Sequence, residues 1–180
     1  MMGIVHSLAR AIVRRALRRK PDFIIGGRRN PYLLRWYITP WSGLYRKVEP
    51  ADRTPWQWFV AHLPAIYVHE FRRSDDDRAL HDHPWINCSV LVEGFYKEHT
   101  IAAGGVHVLT QRKPGDVVFR WPSQAHRVEI IDGSICRTLF LTGPRVRSWG
   151  FHCRRGWVDW RKFTAADDRG AIGAGCGEDA

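Results

Sequence analysis

Seven short β-like runs follow one another between residues 33 and 141, and this spacing constrains the fold more than any other feature. The runs cover residues 33–38, 65–71, 86–96, 106–111, 116–120, 126–131 and 135–141. Turn-forming residues bound them, such as the Gly-Gly pair at 104–105, the Pro-Gly-Asp run at 114–116 and the Asp-Gly pair at 132–133. Many short strands at close spacing predict an all-β sandwich or barrel.

The positive charge of the chain is concentrated at its N-terminal end. The 180 residues carry a formal net charge of +10, and residues 1–50 hold 11 Lys and Arg against Asp22 and Glu49, which leaves them at +9. A basic arm on a neutral body is typical of an appended contact surface rather than of a nucleic-acid-binding fold. We expect an N-terminal helix and linker at 1–30, one domain at 31–164 and a disordered tail at 165–180.

The cysteines favour a reduced, cytoplasmic protein. Cys88, Cys136, Cys153 and Cys176 occur singly, without a CxxC pair or the density of a disulfide-rich secreted domain. No run approaches the roughly 20 apolar residues of a membrane span, so we expect no transmembrane segment.

Residues 4–17 predict a basic amphipathic helix, because apolar residues recur there at helical spacing while arginines occupy the other side. Its apolar stripe would pack on the body of the protein or on a second subunit, as in a homodimer, and this is the interpretation we favour. The alternatives are contact with an anionic membrane surface or with a nucleic-acid backbone. An arginine-rich, acid-poor start is also typical of an organellar transit peptide.

Three histidines predict a metal site. In a strand, His81 and His83 point to one side and Asp82 to the other, and His126 begins a second alternating run that could bring a third imidazole to the same point. A single histidine in a strand is usually structural, but the alternation and the Pro84 that follows favour ligands. Three imidazoles with open positions suit iron, zinc, nickel, copper or manganese.

Two groups of residues resemble the two motifs of the cupin superfamily. The first consists of His81, His83, Asn87 and Gly94, and the second of Gly115, Asp116, Pro122 and His126, with altered spacing around the proline. The resemblance spans about residues 65–142 and implies an all-β, double-stranded β-helix, or jelly roll, with the predicted basic helix before it. It also implies His81, His83 and His126 as metal ligands, whereas Asn87 stands where cupins usually have a glutamate.

The three-histidine set is similar to that of cysteine dioxygenase and other thiol dioxygenases. This similarity implies a divalent metal, Fe(II) first and Zn, Ni or Mn otherwise, in an oxidoreductase that acts on a small, anionic molecule as a mononuclear dioxygenase. The closing segment, 142–160, also resembles uncharacterised cupin-like proteins of bacteria and phages. The alternative is a non-catalytic binding or interaction protein with a basic arm. A third hypothesis is a metal-free isomerase that uses His83 with Tyr96.

Five residues are candidates for contact with the small molecule. Arg137 interrupts an apolar strand and would need an anionic partner if it lined the barrel. Tyr96, Trp85 and Trp121 could form the wall of a pocket, although aromatic residues at such positions belong to the core more often than not. Asn87 completes the set.

Overall fold

The computed structural model describes residues 2–26, 29–45, 48, 50–75, 79–131, 134–165 and 172–177. Four α-helices occur there: α1 (Met2–Ala16), α2 (Ser42–Tyr45), α3 (Pro55–Val60) and α4 (Trp160–Phe163). The twelve strands in the same ranges are β1 (Phe23–Ile25), β2 (Leu33–Tyr37), β3 (Ala65–Phe71), β4 (Leu80–His81), β5 (Asn87–Glu93), β6 (Tyr96–Ile101), β7 (His107–Arg112), β8 (Val117–Arg120), β9 (His126–Ile130), β10 (Cys136–Thr142), β11 (Gly150–Cys153) and β12 (Gly156–Asp159).

The strands form two six-stranded antiparallel sheets. The first has the order β1-β2-β3-β10-β5-β8 and the second has the order β12-β11-β4-β9-β6-β7. The eight central strands, β3 to β10, divide into two four-stranded groups, β3-β10-β5-β8 and β4-β9-β6-β7, and the chain changes group at every step except between β6 and β7. This is the strand order of a jelly roll, so the predicted fold is confirmed.

The predicted strand at 86–96 covers β5 and only the first residue of β6, and these two strands belong to different sheets. The chain turns at Gly94, whose φ of 78° lies in the left-handed region that favours glycine. A Cβ atom there would come 2.2 Å from the carbonyl oxygen of Ile135, so a larger residue would collide with the backbone. Strands β1, β11 and β12 were not predicted, because they are too short or too aromatic to show a clear period. Strand β4 was expected only from the alternation of His81 and His83.

Helix α1 packs on the outer face of the first sheet. Its buried residues Ala9, Val13 and Ala16 share one apolar cluster with Val68 of β3 and Leu139 of β10. A second cluster lies between the sheets and contains Leu91, Tyr96, Val128, Ile130 and Cys136. Packing of the helix on the body is therefore confirmed, and none of the helices described is long and apolar enough to cross a membrane.

The interpretation of Arg137 as a barrel-lining residue is wrong. Arg137 shares the face of β10 that carries Leu139, but this is the outer face, which α1 covers. Its guanidinium donates to Glu70 at 2.8 Å and to Glu93 at 2.6 Å. The anionic partner that an arginine in an apolar strand requires is therefore supplied by the protein itself.

The expectation of a reduced protein is contradicted at two of the four cysteines. Cys153 and Cys176 form a disulfide whose Cα atoms lie 5.5 Å apart, and only Cys88 and Cys136 are free. Linear spacing cannot show this pairing, since 23 residues separate the two positions. The single occurrence of each cysteine along the sequence therefore does not support a reduced, cytoplasmic protein.

Part of the predicted disordered tail is attached to the body. Ile172 forms a β-bridge with Thr164, and the disulfide ties Cys176 to β11. Residues 166–171 and 178–180 of that segment lie outside the described residues. The domain limits 1–30, 31–164 and 165–180 stay predictions.

Candidate metal centre

The three predicted ligands meet at one point, where β4 ends and β9 begins. His81 is the last residue of β4 and lies directly opposite His126, the first residue of β9. The three rings have centroids 5.0 to 5.2 Å apart, and one ligand nitrogen from each lies within 4.8 Å of the others. Two of these atoms, Nε2 of His83 and Nε2 of His126, are 2.9 Å apart.

His83 reaches the centre from just beyond the end of β4. Its backbone N–H donates to the carbonyl oxygen of Pro122 at 3.1 Å, which ties the segment to the turn before β9. The extended backbone thus continues past the hydrogen-bonded strand, and His83 stays on the same side as His81. The second cupin-like motif contributes both Pro122, which positions this backbone, and His126.

Two of the imidazoles face a carboxylate on the side away from the centre. Nδ1 of His126 lies 3.1 Å from Oε1 of Glu98, an ion-pair distance without the alignment of a hydrogen bond. Nδ1 of His81 lies 3.7 Å from Oδ2 of Asp75, which leaves its Nε2 for the centre. Both acids were missed in the sequence, because neither shows a fixed spacing to the histidines.

Glu98 is a buried acid held by two arginines. It is 1 % exposed, Arg112 donates to its Oε2 from Nε and Nη2 at 2.7 Å, and Arg120 donates to its Oε1 from Nε at 2.9 Å and also from Nη2. Burial by itself would raise the pKa of Glu98, but the contacts with His126 and Arg120 outweigh it and hold the pKa far below its usual range. The carboxylate is therefore charged.

Two imidazoles of the centre, those of His83 and His126, have lowered pKa values and are neutral at physiological pH. Burial, the two neighbouring imidazoles and nearby arginines hold the pKa of His83 well below its usual value. Burial and the charge of Arg120 lower the pKa of His126 to about 4, against the opposing effect of Glu98. A metal binds the unprotonated form of imidazole, and at about 2.1 Å per bond it brings two ligand nitrogens roughly 3 Å apart. The donor set and the spacing of His83 and His126 therefore fit a divalent ion.

Two of the predicted small-molecule contacts, Asn87 and Tyr96, are buried. Asn87 is buried and accepts from Arg120 at 3.5 Å, while its Nδ2 atom has no hydrogen-bond partner in the described part of the chain. Tyr96 is buried in the cluster between the sheets, and burial raises its pKa to about 12. Asn87 thus faces Arg120 where a cupin would carry a glutamate ligand.

The two tryptophans differ in position. The ring of Trp85 stacks near that of His83, with centroids 6.5 Å apart. Trp121 is 56 % exposed and contacts Phe119, so it does not wall an enclosed pocket beside the histidines. Trp121 directly follows β8, so the conformation of the turn after this strand decides where its ring points. The sequence does not specify that conformation.

An arginine and a fourth histidine from the first sheet also lie near the centre. Arg35 of β2 donates from Nε to Nε2 of His69 at 2.8 Å, and His69 stacks on Phe140 with centroids 4.8 Å apart. Phe140 in turn lies 6.2 Å from His83, centroid to centroid. Neither Arg35 nor His69 was identified in the sequence, because no motif includes them.

Asp82 points away from the metal ligands and fastens the C-terminal strands. It is buried, and it accepts from the backbone N–H of Gly150 at 2.9 Å, from Trp157 at 3.1 Å and from Arg147 at 2.7 Å. His152 lies 3.3 Å from the same carboxylate. The residue between two ligands therefore attaches β11 and β12 to the edge of the sheet that holds the centre.

No protein-family model and no curated protein matches this chain. Among solved structures, it is similar to a double-stranded β-helix protein of Klebsiella pneumoniae (16 % identity, TM-score 0.40), with 50 % of this chain and 70 % of that one covered. It is also similar to the DMSP lyase DddQ of Ruegeria pomeroyi (21 % identity, TM-score 0.36, 46 % and 39 % covered). A third structure is the oxalate decarboxylase of Bacillus subtilis, which has Mn(II) centres (16 % identity, TM-score 0.45, 76 % and 31 % covered). The fold assignment rests on the strand order described above.

Proposed function

We propose that this chain, a jelly roll of the cupin type, binds one divalent metal ion through His81, His83 and His126 and acts on a small anionic molecule. The observation that carries the proposal is the convergence of three imidazoles within 4.8 Å, with the pKa of two of them lowered. Tetrahedral and octahedral metals both have positions left after three protein ligands, and substrate can bind there.

The charge of the centre favours an anionic substrate. Three neutral imidazoles leave the charge of a divalent ion uncompensated by any ligand. The nearest buried acid, Glu98, is already paired with Arg112 and Arg120. Besides burial and the other imidazoles, the positive charges of Arg120 and Arg35 lower the pKa of His83. A carboxylate or thiolate substrate would supply the missing negative charge.

We propose Fe(II) as the metal and dioxygenation as the reaction, with Zn, Ni or Mn as alternatives. Bound iron would supply the redox chemistry with dioxygen. The residues of the chain would orient the substrate beside the ligands. The Trp85 ring would form one wall of the substrate pocket, and the buried Nδ2 of Asn87 would donate a hydrogen bond to the substrate. Tyr96, which is buried between the sheets, would form another part of the pocket wall.

The second candidate is a non-catalytic binding protein whose basic arm contacts an anionic surface or another subunit. The observation in its favour is that Arg10, Arg14 and Arg15 of α1 and Arg18 just after it are all exposed, although the helix packs on the body with its other side. Metal at the three histidines would then be structural.

Metal analysis of protein purified without a histidine tag tests the leading proposal. After anaerobic loading with Fe(II), we expect about one metal ion per wild-type chain and loss of most of it in His81→Ala and His126→Ala, since each variant removes one of three ligands. His107→Ala, which removes an exposed histidine, is the matched control and should keep its metal.

Retention of full metal content by both ligand variants would refute the site. If the wild type holds iron, oxygen uptake with candidate thiols and carboxylates is the next assay. Bound metal without uptake for any of them would favour the non-catalytic candidate.

A further inference from the structure

Glu98 occupies an unusual place for a buried acid beside a metal site. It comes from β6, one strand beyond the motif position where the cupin resemblance implies a carboxylate and where this chain has Asn87. Its Oε1 atom lies 3.1 Å from Nδ1 of His126, while Nε2 of the same ring lies 2.9 Å from His83. The carboxylate and the centre are thus on opposite sides of one imidazole.

We propose that Glu98 is the carboxylate of this metal centre and acts as a positioning residue through His126 rather than as a ligand. Its negative charge, 3.1 Å from Nδ1, favours the tautomer of His126 that carries the proton on Nδ1, and this tautomer leaves the lone pair of Nε2 for the metal. Carboxylates commonly orient metal-bound histidines in this way and make them stronger donors. The inference rests on the proposed function, because it assigns a role toward the same metal.

The two arginines explain why Glu98 does not itself bind the metal. Its Oε2 accepts from Arg112 and its Oε1 accepts from Arg120, so both oxygens are already occupied on the far side of the ring. The pairing also fixes the carboxylate in one orientation, since guanidinium groups bind carboxylates with defined geometry. A fixed carboxylate is what a positioning role requires.

Asp75 repeats the arrangement at a second ligand. Its Oδ2 lies 3.7 Å from Nδ1 of His81 and accepts from the backbone N–H of Val128 at 2.7 Å. The hydroxyl of Tyr32 donates to its other oxygen. Because Asp75 lies farther from the ring of His81 than Glu98 lies from the ring of His126, we expect Asp75 to have the weaker effect on metal binding.

A glutamate–histidine pair on the other face of the same sheet provides a matched control. Glu129 of β9 lies 2.8 Å from Nε2 of His99 of β6, and His99 is not one of the three ligands. Loss of the carboxylate there removes the same kind of contact without reaching the centre. The pair therefore separates an effect on the metal from a general effect of losing a glutamate.

The experiment is a competition titration of apo-protein with Co(II) and Zn(II) against a chelating dye, with the visible spectrum of the Co(II) form as a second measurement. Glu98→Gln keeps the shape but removes the charge, so we expect metal binding about 10–100-fold weaker and a changed Co(II) spectrum. Glu129→Gln should bind both ions as the wild type does. Circular dichroism confirms that each variant is folded before titration.

Glu98→Asp keeps the charge on a shorter side chain, so it should retain more affinity than Glu98→Gln. Equal losses in the two variants, or wild-type affinity and spectrum in Glu98→Gln, would overturn the inference and leave the metal site in place. A wild-type protein that binds neither ion would overturn the inference together with the proposed function.

Discussion

Asp82 and its two neighbours show how strand geometry divides tasks between adjacent residues. His81 and His83 face the centre, while Asp82 points to the other side and accepts hydrogen bonds from β11 and β12. The carboxylate is 1 % exposed, and its ion pair with Arg147 has an N–O distance of 2.7 Å. Neutralising a buried acid that accepts from several donors lowers the free energy of unfolding strongly, because the donors lose their charged partner as well.

We therefore expect Asp82→Asn to lower the free energy of unfolding of the apo-protein by about 2–4 kcal/mol. Urea unfolding followed by tryptophan fluorescence measures this change. Asp52→Asn is the matched control, because Asp52 is exposed and should change stability by less than about 0.5 kcal/mol. Equal stability of the two variants would show that the contacts of Asp82 do not hold the C-terminal strands.

At the scale of elements, α1 acts as a cover for the first sheet. Val13 is 2 % exposed and lies in the cluster with Val68, Val90 and Leu139, whereas Val5 on the same helix is 43 % exposed. The two valines therefore allow one substitution to be compared at a packed and at a solvated position of one helix.

Val13→Ala should lower the free energy of unfolding by about 2 kcal/mol, since it removes two buried methyl groups and leaves a small cavity. Val5→Ala should change it by less than about 0.5 kcal/mol. Thermal and urea unfolding measure both, and metal content should stay the same in both variants. A Val13→Ala protein as stable as Val5→Ala would contradict the packing of α1 on the sheet.

At the scale of the whole molecule, the buried histidines link stability to pH. The pKa of His126 is about 4 in the folded protein and that of His83 is also lowered, so these imidazoles bind protons more readily in the unfolded chain. Protonation then favours unfolding, and the stability present above pH 6.5 is lost as the pH falls below it.

Between pH 6.5 and 4.5, we expect the apo-protein to lose on the order of 2–3 kcal/mol through His126 alone. Urea unfolding at a series of pH values measures the loss. His126→Gln should show a shallower dependence, whereas His107→Gln should follow the wild type. A wild-type stability that stays constant across this window would refute the assignment of His126 as a buried neutral imidazole.

Much of the fold and the three ligands could be predicted from the sequence because they depend on local patterns. Alternation placed His81 and His83 on one side, and the order of short strands and turns gave seven of the core segments nearly correctly. The same alternation placed Arg137 on the face of Leu139, but it could not say which face was inner, because α1 buries the outer face as well. The period of a sequence shows which residues share one face of a strand, but it does not show what packs against that face.

The sequence by itself determined the β-rich body, the amphipathic first helix and the pair of His81 and His83, since each follows from a pattern of nearby residues. The jelly roll and His126 followed from the resemblance of two separated motifs to those of one superfamily. The tertiary structure decided which groups stand around them: Glu98 behind His126, Asp75 behind His81, Asp82 beneath β11, and the disulfide between Cys153 and Cys176. These contacts join residues up to 68 positions apart. They depend on how two sheets and a helix come together, and no local preference of the chain encodes that arrangement.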